Sequence, residues 1–541
     1  MYSCLYAGLS RGMKTIPVRV ETDISSGLPG FELVGYVSAE LREAKERVRA
    51  ALVNSGYSLP VKRITVNLAP ASEKKSGTAF DLAIALSLLM AEGTIPVPGR
   101  KTFVAGELGL DGSVRHVPGL LPQIRRAAEE GTEVFLVPAV DSVEASLLQG
   151  ARIVPVEKLP EAIDFLTGGL GGSLPWEGAE KEKASDEDRV VLSAANSASE
   201  FSGNLKVTEG RAAEAPVETV YPVDFADIHG QIMLKRACEI AVSGMHNLLM
   251  TGPPGAGKTL AAKAIPSILP PVTYEEMVEI AELYSLAGLF EERAAALNTR
   301  PFRAPHHTIS QSTMTGQREP GEMSLAHRGV LFLDELTEFK TGTLEVLRQP
   351  LEEGSIKTYG SAGERNIYPA DFMLVCAMNP CPCGYYPDRK RCHCTSAQIE
   401  SYIGKLSRPL LDRIDISVEV KPLTFEESAF DGREESSAKI RKRVEKVHAI
   451  QADRYRKEDF SFNSRIPSTL MDRYCGLSPD DTDFMRQCFV RLGLSTRAYH
   501  RILRTARTIA DMDGSESIRR DHLNEAICYR TIEKSFWGGI A

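Results

Sequence analysis

Apolar and polar positions alternate over Thr15-Ile16-Pro17-Val18-Arg19-Val20-Glu21 and over Arg63-Ile64-Thr65-Val66-Asn67-Leu68, the period of a half-buried strand. Phe80 to Ala91 is apolar nearly throughout and reads as a buried helix. Thr102 to Glu107 and Glu133 to Pro138 read as further strands, and Leu120 to Glu130 as an amphipathic helix ended by Gly131. Strands interleaved with helices predict an α/β domain over residues 1–168.

The pattern then fails. Residues 169–221 open on Gly-Gly-Leu-Gly-Gly-Ser, continue as a charged run from Glu177 to Arg189, and become small and polar. Such a stretch buries too little apolar surface to order itself and is expected to be a flexible linker. Buried-strand patterns return at Asn247-Leu248-Leu249-Met250, Leu331-Phe332-Leu333 and Phe372 to Ala377, so 222–423 is expected to be a second α/β domain built on a parallel sheet. From residue 424 the period is helical, with basic amphipathic helices over Ser437–Gln451 and Thr496–Met512 and a last one over Asp521–Glu533, predicting a helical domain over 424–541.

Composition changes this picture little. The chain of 541 residues is 43% hydrophobic and 25% charged, values of an ordinary soluble protein. No apolar run approaches the roughly 20 residues of a membrane span. Met1-Tyr2-Ser3-Cys4-Leu5 has no basic region ahead of an apolar one, so no secretion signal is expected. The cysteines, apart from one cluster, are irregularly spaced, which suits a reducing cytoplasm. A formal net charge of −8 argues against a wide nucleic-acid footprint but leaves room for local basic loops.

The chemistry is concentrated in Gly252-Pro253-Pro254-Gly255-Ala256-Gly257-Lys258-Thr259, a complete P-loop between the expected strand and a helix that continues from Leu260. Its glycines let backbone N–H groups close around phosphates, Lys258 reaches the β and γ oxygens, and Thr259 offers a hydroxyl to Mg²⁺. Asp334-Glu335, at the end of a second apolar strand, is the matching acidic pair. ATP binding with Mg²⁺ and hydrolysis of the γ-phosphate follow.

The order of motifs around this pair resembles an AAA+ ATPase. Asp224 to Gln231 precedes the P-loop strand, Asn379 ends the strand after the acidic pair, and Leu410-Leu411-Asp412-Arg413-Ile414-Asp415 comes before the helical end. Arg300-Pro301-Phe302-Arg303-Ala304-Pro305-His306-His307-Thr308, Pro320-Gly321-Glu322 and Asn379-Pro380-Cys381-Pro382-Cys383-Gly384 are similar to the magnesium-chelatase-like group that includes the competence protein ComM.

The resemblance implies roles. Asp334 holds the Mg²⁺ shell, Glu335 activates the attacking water, Asn379 senses the γ-phosphate, Arg413 is an arginine finger acting on a neighbouring subunit, and Arg497 is a second sensor on the helical lid. A strand-end cap for Asn379, a local salt bridge of Arg413 with Asp412 or Asp415, and a solvated face for Arg497, Arg501 and Arg504 are the plainer alternatives. A finger acting in trans requires an assembled ring, and a hexamer is the family expectation. His306 and His307 read simply as polar residues at a strand end.

Family members carry two channel-facing insertions. Here Ser355–Tyr359 and Arg365–Tyr368 flank Gly360-Ser361-Ala362-Gly363 as a hairpin, with Lys357 and Arg365 either touching a phosphate backbone or simply solvated. Thr313 to Glu319 and Tyr359-Gly360 depart from the family pattern. Cys381, Cys383, Cys392 and Cys394 form C-x-C-x₈-C-x-C, a set that suits a tetrahedral Zn²⁺. His393 replacing one ligand, and reduced free thiols or a redox-sensitive loop, are the alternatives.

Lys75 to Ala83 and Gly106 to Gly112 resemble the Lon protease and RadA domain, but Ala79 and Leu121 stand where the Lon serine and lysine fall, so no peptidase is expected. The resemblance as a whole implies an ATP-driven ring motor on DNA, a branch-migration helicase in recombination or natural transformation. The alternative is a chelatase-like motor remodelling a protein partner without nucleic acid.

Overall fold

The computed structural model describes residues 2–168, 208–209, 221–359, 365–422 and 434–537. The expected linker, Thr208, Glu209 and Tyr221 apart, and the hairpin turn Gly360–Gly363 lie outside these residues. The chain forms two compact units, one of residues 1–216 and 274–297, the other of residues 217–273 and 298–541.

The first unit is built on a mixed eight-stranded sheet. Its long antiparallel pair, Tyr2–Arg11 with Lys14–Ser25, lies between the parallel strands Thr102–Val104, Val134–Pro138 and Arg152–Val156 on one side and Arg63–Ala69 and Gly30–Val34 on the other. Val18, Val20, Thr22 and Ile24 alternate inward, which explains the period-two pattern. The helix Asp81–Glu92 is buried on every side, so its near-continuous apolar sequence is what its position demands. Its first residue, Asp81, is covered and takes two hydrogen bonds from Arg47, at 2.7 and 3.0 Å. Burial pushes the Asp81 carboxyl up to about 6 against the pull of Arg47.

The strand expected over Thr102–Glu107 is two elements. It breaks after Val104, and Glu107–Leu108 pairs instead with Val114–Arg115. A Cβ on Gly106, at the break, would lie 2.8 Å from Val114. Ala79 and Leu121 carry no group able to do acyl transfer, and the nearby Lys75 is fully buried, its ammonium donating to the carbonyls of Gly35 and Pro70. The Lys75 ammonium is thus engaged by backbone carbonyls.

Residues 274–297 belong to the first unit although they lie far from it in sequence. The helix Tyr274–Leu286 packs on Leu120–Glu129, with Arg125 donating to Glu282 at 3.1 Å, Gly119 N–H to the Ser285 carbonyl at 3.1 Å and the Tyr274 hydroxyl to the Leu147 carbonyl at 2.8 Å. Nothing in its local pattern marks this attachment.

The second unit holds a five-stranded parallel sheet in the order Phe302–Arg303, Val330–Leu333, Met373–Met378, Leu248–Thr251, Ile416–Glu419. Asn247 ties three of these strands at one end. Its N–H donates to Asp415 at 2.9 Å, its side-chain amide donates to the Arg413 carbonyl at 2.9 Å, and its Oδ1 accepts from Leu374 N–H at 2.9 Å. The helices Ser437–Arg454, Thr496–Met512 and Arg520–Trp537 share one core with this sheet, bringing Val444, Ile502, Ala506 and Leu523 together with Leu248, Val375 and Val418. The C-terminal helices are thus packed on the nucleotide sheet.

Candidate active site

The P-loop follows the buried central strand Leu248–Thr251 and runs into the helix Lys258–Ala264, whose first-turn N–H groups have no partner within the helix. Gly255 and Gly257 have φ of +75° and +93°, values that side-chain-bearing residues avoid. Gly252 is needed for a different reason: a Cβ there would sit 2.2 Å from the Val420 carbonyl oxygen. Ala256 is buried beneath the loop, while Pro253 is half-buried and Pro254 exposed; Leu260 points outward from the helix at 39% exposure.

Lys258 bridges the loop and the tip of the strand Met373–Met378. Its ammonium donates to the carbonyls of Gly252 at 2.6 Å and Pro253 at 2.9 Å, and to Asn379 Oδ1 at 3.1 Å. Burial lowers its pKa, and the nearby Asp334 carboxylate offsets part of that. Thr259 donates its hydroxyl proton to Asp334 Oδ2 at 2.7 Å, so the residues expected around Mg²⁺ already meet. Asp334 also accepts from Glu335 N–H at 2.9 Å, and Glu335 itself sits at φ +51° with its carboxylate largely exposed. A hydroxyl and a carboxylate oxygen side by side at the foot of a phosphate loop are the hard oxygen donors that Mg²⁺ prefers.

Glu335 and Asn379 line one cleft of about 610 Å³, together with Pro382, Tyr402 and Lys405. His307 also approaches Glu335, its Nδ1 lying 3.5 Å from the carboxylate. That neighbour was not visible in the sequence, because the histidine follows a different strand and no local pattern links the two.

Arg413 lies elsewhere. It lines a separate cleft of about 1230 Å³ with Gln311, Arg348 and Glu352. It is 5% exposed, and its guanidinium donates to the Pro409 carbonyl and to Glu352. The local salt bridges considered for it are not formed: Asp415 pairs with Arg501 at 2.6 Å, and Asp412 with Arg530 at 3.7 Å. Burial lowers the Arg413 pKa despite Glu352, and the positive charges of Arg348, Arg497 and Arg501 lower it further. Arg497 is therefore electrostatically grouped with Arg413. It is exposed, whereas Arg501 is held by Asp415 and Arg504 by the Ile466 carbonyl, so the three do not make one solvated face.

The two insertions grip each other. Thr358 Oγ1 and Asn366 Nδ2 donate to the Gln317 carbonyl at 2.8 and 3.2 Å, and the Tyr368 hydroxyl donates to the Arg318 carbonyl. Lys357, one of the two hairpin cations, is already paired with Glu353 at 2.7 Å. Arg365 is exposed.

The cysteine sulfurs of residues 381, 383, 392 and 394 all lie within 4.8 Å of one another, and His393 is not among them. Burial raises the Cys383 thiol, but the Tyr385 N–H and the neighbouring sulfurs together outweigh it and bring it down to about 6.

Comparison with known families decides what this assembly is. Residues 224–428 match the family described as magnesium chelatase, subunit ChlI; residues 20–141 match subunit ChlI of Mg-chelatase; and residues 434–530 match the ChlI C-terminal region. The chain belongs to the magnesium-chelatase-like AAA+ family, in its ComM group. It is 39% identical to the competence protein ComM of Haemophilus influenzae over 533 residues, covering 98% of this chain and 97% of that protein. It is 37% identical over 532 residues to the protein YifB of Salmonella typhimurium, covering 97% and 96%. The magnesium-chelatase 38 kDa subunit of Cereibacter sphaeroides is 25% identical over 334 residues, 56% of this chain and 89% of that subunit. Membership of this AAA+ family implies use of ATP and Mg²⁺, and AAA+ proteins typically oligomerise. Among the described residues no helix is long and apolar enough to cross a membrane.

Proposed function

We propose that this chain is an ATP-hydrolysing motor that assembles into a hexameric ring in the cytoplasm and acts on DNA as a branch-migration helicase in recombination. The observation that carries this reading is the division of the site: Lys258, Thr259, Asp334, Glu335 and Asn379 gather at the P-loop, while Arg413 lines a different cleft and feels the charge of Arg497. A P-loop site whose expected arginine lies in another cleft of the same chain suits completion by an identical neighbour.

In that reading the P-loop N–H groups and Lys258 hold the phosphates, exchanging the carbonyls of Gly252 and Pro253 for phosphate oxygens. Thr259 and Asp334 would hold Mg²⁺, which supplies neutralisation of charge on the β and γ oxygens. Glu335 orients the attacking water and accepts its proton, and Asn379 reports the γ-phosphate to Lys258. Arg413 and Arg497 of the adjoining copy meet the charge that develops during transfer, which requires Arg413 to leave Glu352. Cys381, Cys383, Cys392 and Cys394 would hold Zn²⁺ as a separate structural ion.

A second reading, remodelling of a protein partner, is favoured by the −8 net charge and by the pairing of Lys357 with Glu353. ATP turnover measured with single-stranded, duplex and forked or three-stranded DNA separates the two. Stimulation and strand separation, both lost in Lys258→Ala and Glu335→Gln, are expected. Turnover indifferent to every DNA at low salt would leave the protein-remodelling reading standing alone.

A further inference from the structure

The cysteine cluster is built against the nucleotide site. Zn²⁺ bound by thiolates at about 2.3 Å places its sulfurs about 3.8 Å apart in a tetrahedron. Here Cys381 Sγ lies 3.4 Å from Cys383 Sγ and 3.8 Å from Cys392 Sγ, and no sulfur of the four is more than 4.8 Å from another. Cys381 and Cys392 are buried. The Tyr386 N–H points at Cys381 Sγ from 3.4 Å, the outer-shell contact that thiolate ligands use. Four thiolates around a divalent ion leave a charge of about −2. The intervening loop supplies cations beside it, Arg391 over the Tyr385 ring at 4.0 Å and Arg389 over the Tyr386 ring at 5.0 Å, with Arg389 also donating to the Cys394 carbonyl at 3.1 Å.

The same loop meets the P-loop at two points, one on each side of its first cysteine pair. Before the pair, Asn379 accepts from Lys258. After it, Gly384, with φ +86°, lies so close to the P-loop that a Cβ would stand 2.5 Å from Pro254 Cδ and 3.0 Å from Pro254 Cγ. Between them, Pro382 lines the cleft shared with Glu335. A chain pinned at residues 381 and 383 has little freedom at 379 and 384. The apolar packing around the turn is a small cluster, Ile399 with Ile403, Tyr385 and Tyr386 against the cysteines.

We propose that Cys381, Cys383, Cys392 and Cys394 bind one Zn²⁺ per chain and that this ion braces the P-loop through Gly384 and Asn379, so nucleotide affinity depends on zinc. The brace, though not the zinc site, rests on the ATPase reading. It makes a soft-metal site, with no part in phosphoryl chemistry, a control point for fuel binding.

The test uses the full chain. Elemental analysis of purified protein is expected to give one zinc per chain, lost in Cys381→Ser/Cys392→Ser. Refilling stripped protein with Co²⁺ is expected to give the visible bands of tetrahedral thiolate cobalt. Titration with a fluorescent ADP analogue is expected to show affinity about tenfold weaker after stripping, the worth of roughly one charge-assisted contact, restored by added Zn²⁺, with far-ultraviolet circular dichroism checking that the fold persists. Gly384→Ala is expected to keep its zinc yet bind the analogue more weakly, which loss of folding in the cysteine variant cannot mimic. Zinc-free protein whose four thiols react freely and gain no cobalt bands overturns the site. Stripped, folded protein with unchanged analogue affinity overturns the brace. Zinc-loaded protein that binds no analogue at all overturns the ATPase reading and the brace with it, while the metal site stands.

Discussion

Lys258 and Asn379, 121 residues apart in sequence, share a hydrogen bond of 3.1 Å between the P-loop and the tip of the neighbouring strand. The lysine that would hold phosphate is thus held, in the protein itself, by the residue that would sense phosphate. Parallel pairing of Leu248–Thr251 with Val375–Met378 places the two tips together.

Substituting the two residues should have different consequences. Lys258→Ala should abolish nucleotide binding. Asn379→Ala should retain it and lower kcat by about 10²–10³, because a positioned polar group acting on developing charge is worth that much. Steady-state ATPase assays and equilibrium nucleotide binding on both variants check this. Equal loss of binding in the two would make Asn379 a strand cap.

Glu335→Gln should bind ATP and trap it, with turnover down about 10²–10⁴-fold, the range for a lost general base. Single-turnover hydrolysis reads the chemical step directly. His307→Ala, which removes the neighbour 3.5 Å away, should lower kcat while leaving nucleotide affinity unchanged.

Arg413→Ala subunits mixed into wild-type preparations should depress ATPase activity beyond simple dilution, since each would disable the adjoining site. An arginine finger is worth about 10³–10⁵ in rate. A linear fall with mole fraction would mean that Arg413 acts only within its own chain, as a partner of Glu352.

The first unit should weaken as pH rises from about 4.5 to about 7. Glu144 is buried and accepts from Leu121 N–H at 2.8 Å, and burial raises its pKa from 4.5 to about 7. Its folded-state pKa is the higher one, so the folded protein holds the proton longer than the unfolded chain. The group costs nothing below about pH 4, and its cost grows to about 3 kcal/mol by pH 8. Glu144→Gln should therefore flatten the thermal stability profile between pH 5 and pH 8, as read by melting temperature.

Asp415 behaves in the opposite sense. It is buried, yet Arg501, His246 and the Asn247 N–H hold its carboxyl well below the usual range. Its contribution is present above about pH 4 and is lost as pH falls further. Asp415→Asn should destabilise the second unit by about 3–5 kcal/mol, because it strands Arg501. Denaturant melts at neutral pH check this.

Much of this site was legible along the chain because its parts are local. A P-loop is one strand, one turn and one helix, and the residues from Gly252 to Thr259 carry its geometry in three closely spaced glycines. The helix Thr496–Met512 appears with the bounds its period predicts, since one apolar face over seventeen residues leaves few alternatives. The break after Val104 was not legible, because it depends on Val114 meeting Gly106 across a turn. Nor was the partner of Arg413, since Asp412 and Asp415 are nearer in sequence than Glu352 but are taken by Arg530 and Arg501.

The sequence by itself determined the P-loop with its acidic pair, the alternation of strands and helices, and the residue types at Ala79 and Leu121, because each depends on residue type and short-range spacing. Tertiary structure alone decided that Tyr274–Leu286 packs on the first unit, that His307 faces Glu335, that Arg413 turns to Glu352, and that Gly384 rests on Pro254. These are contacts between segments brought together by burial of apolar surface, which is non-directional. Which polar groups then meet depends on how the sheets and helices stack, and short-range spacing along the chain carries no record of that.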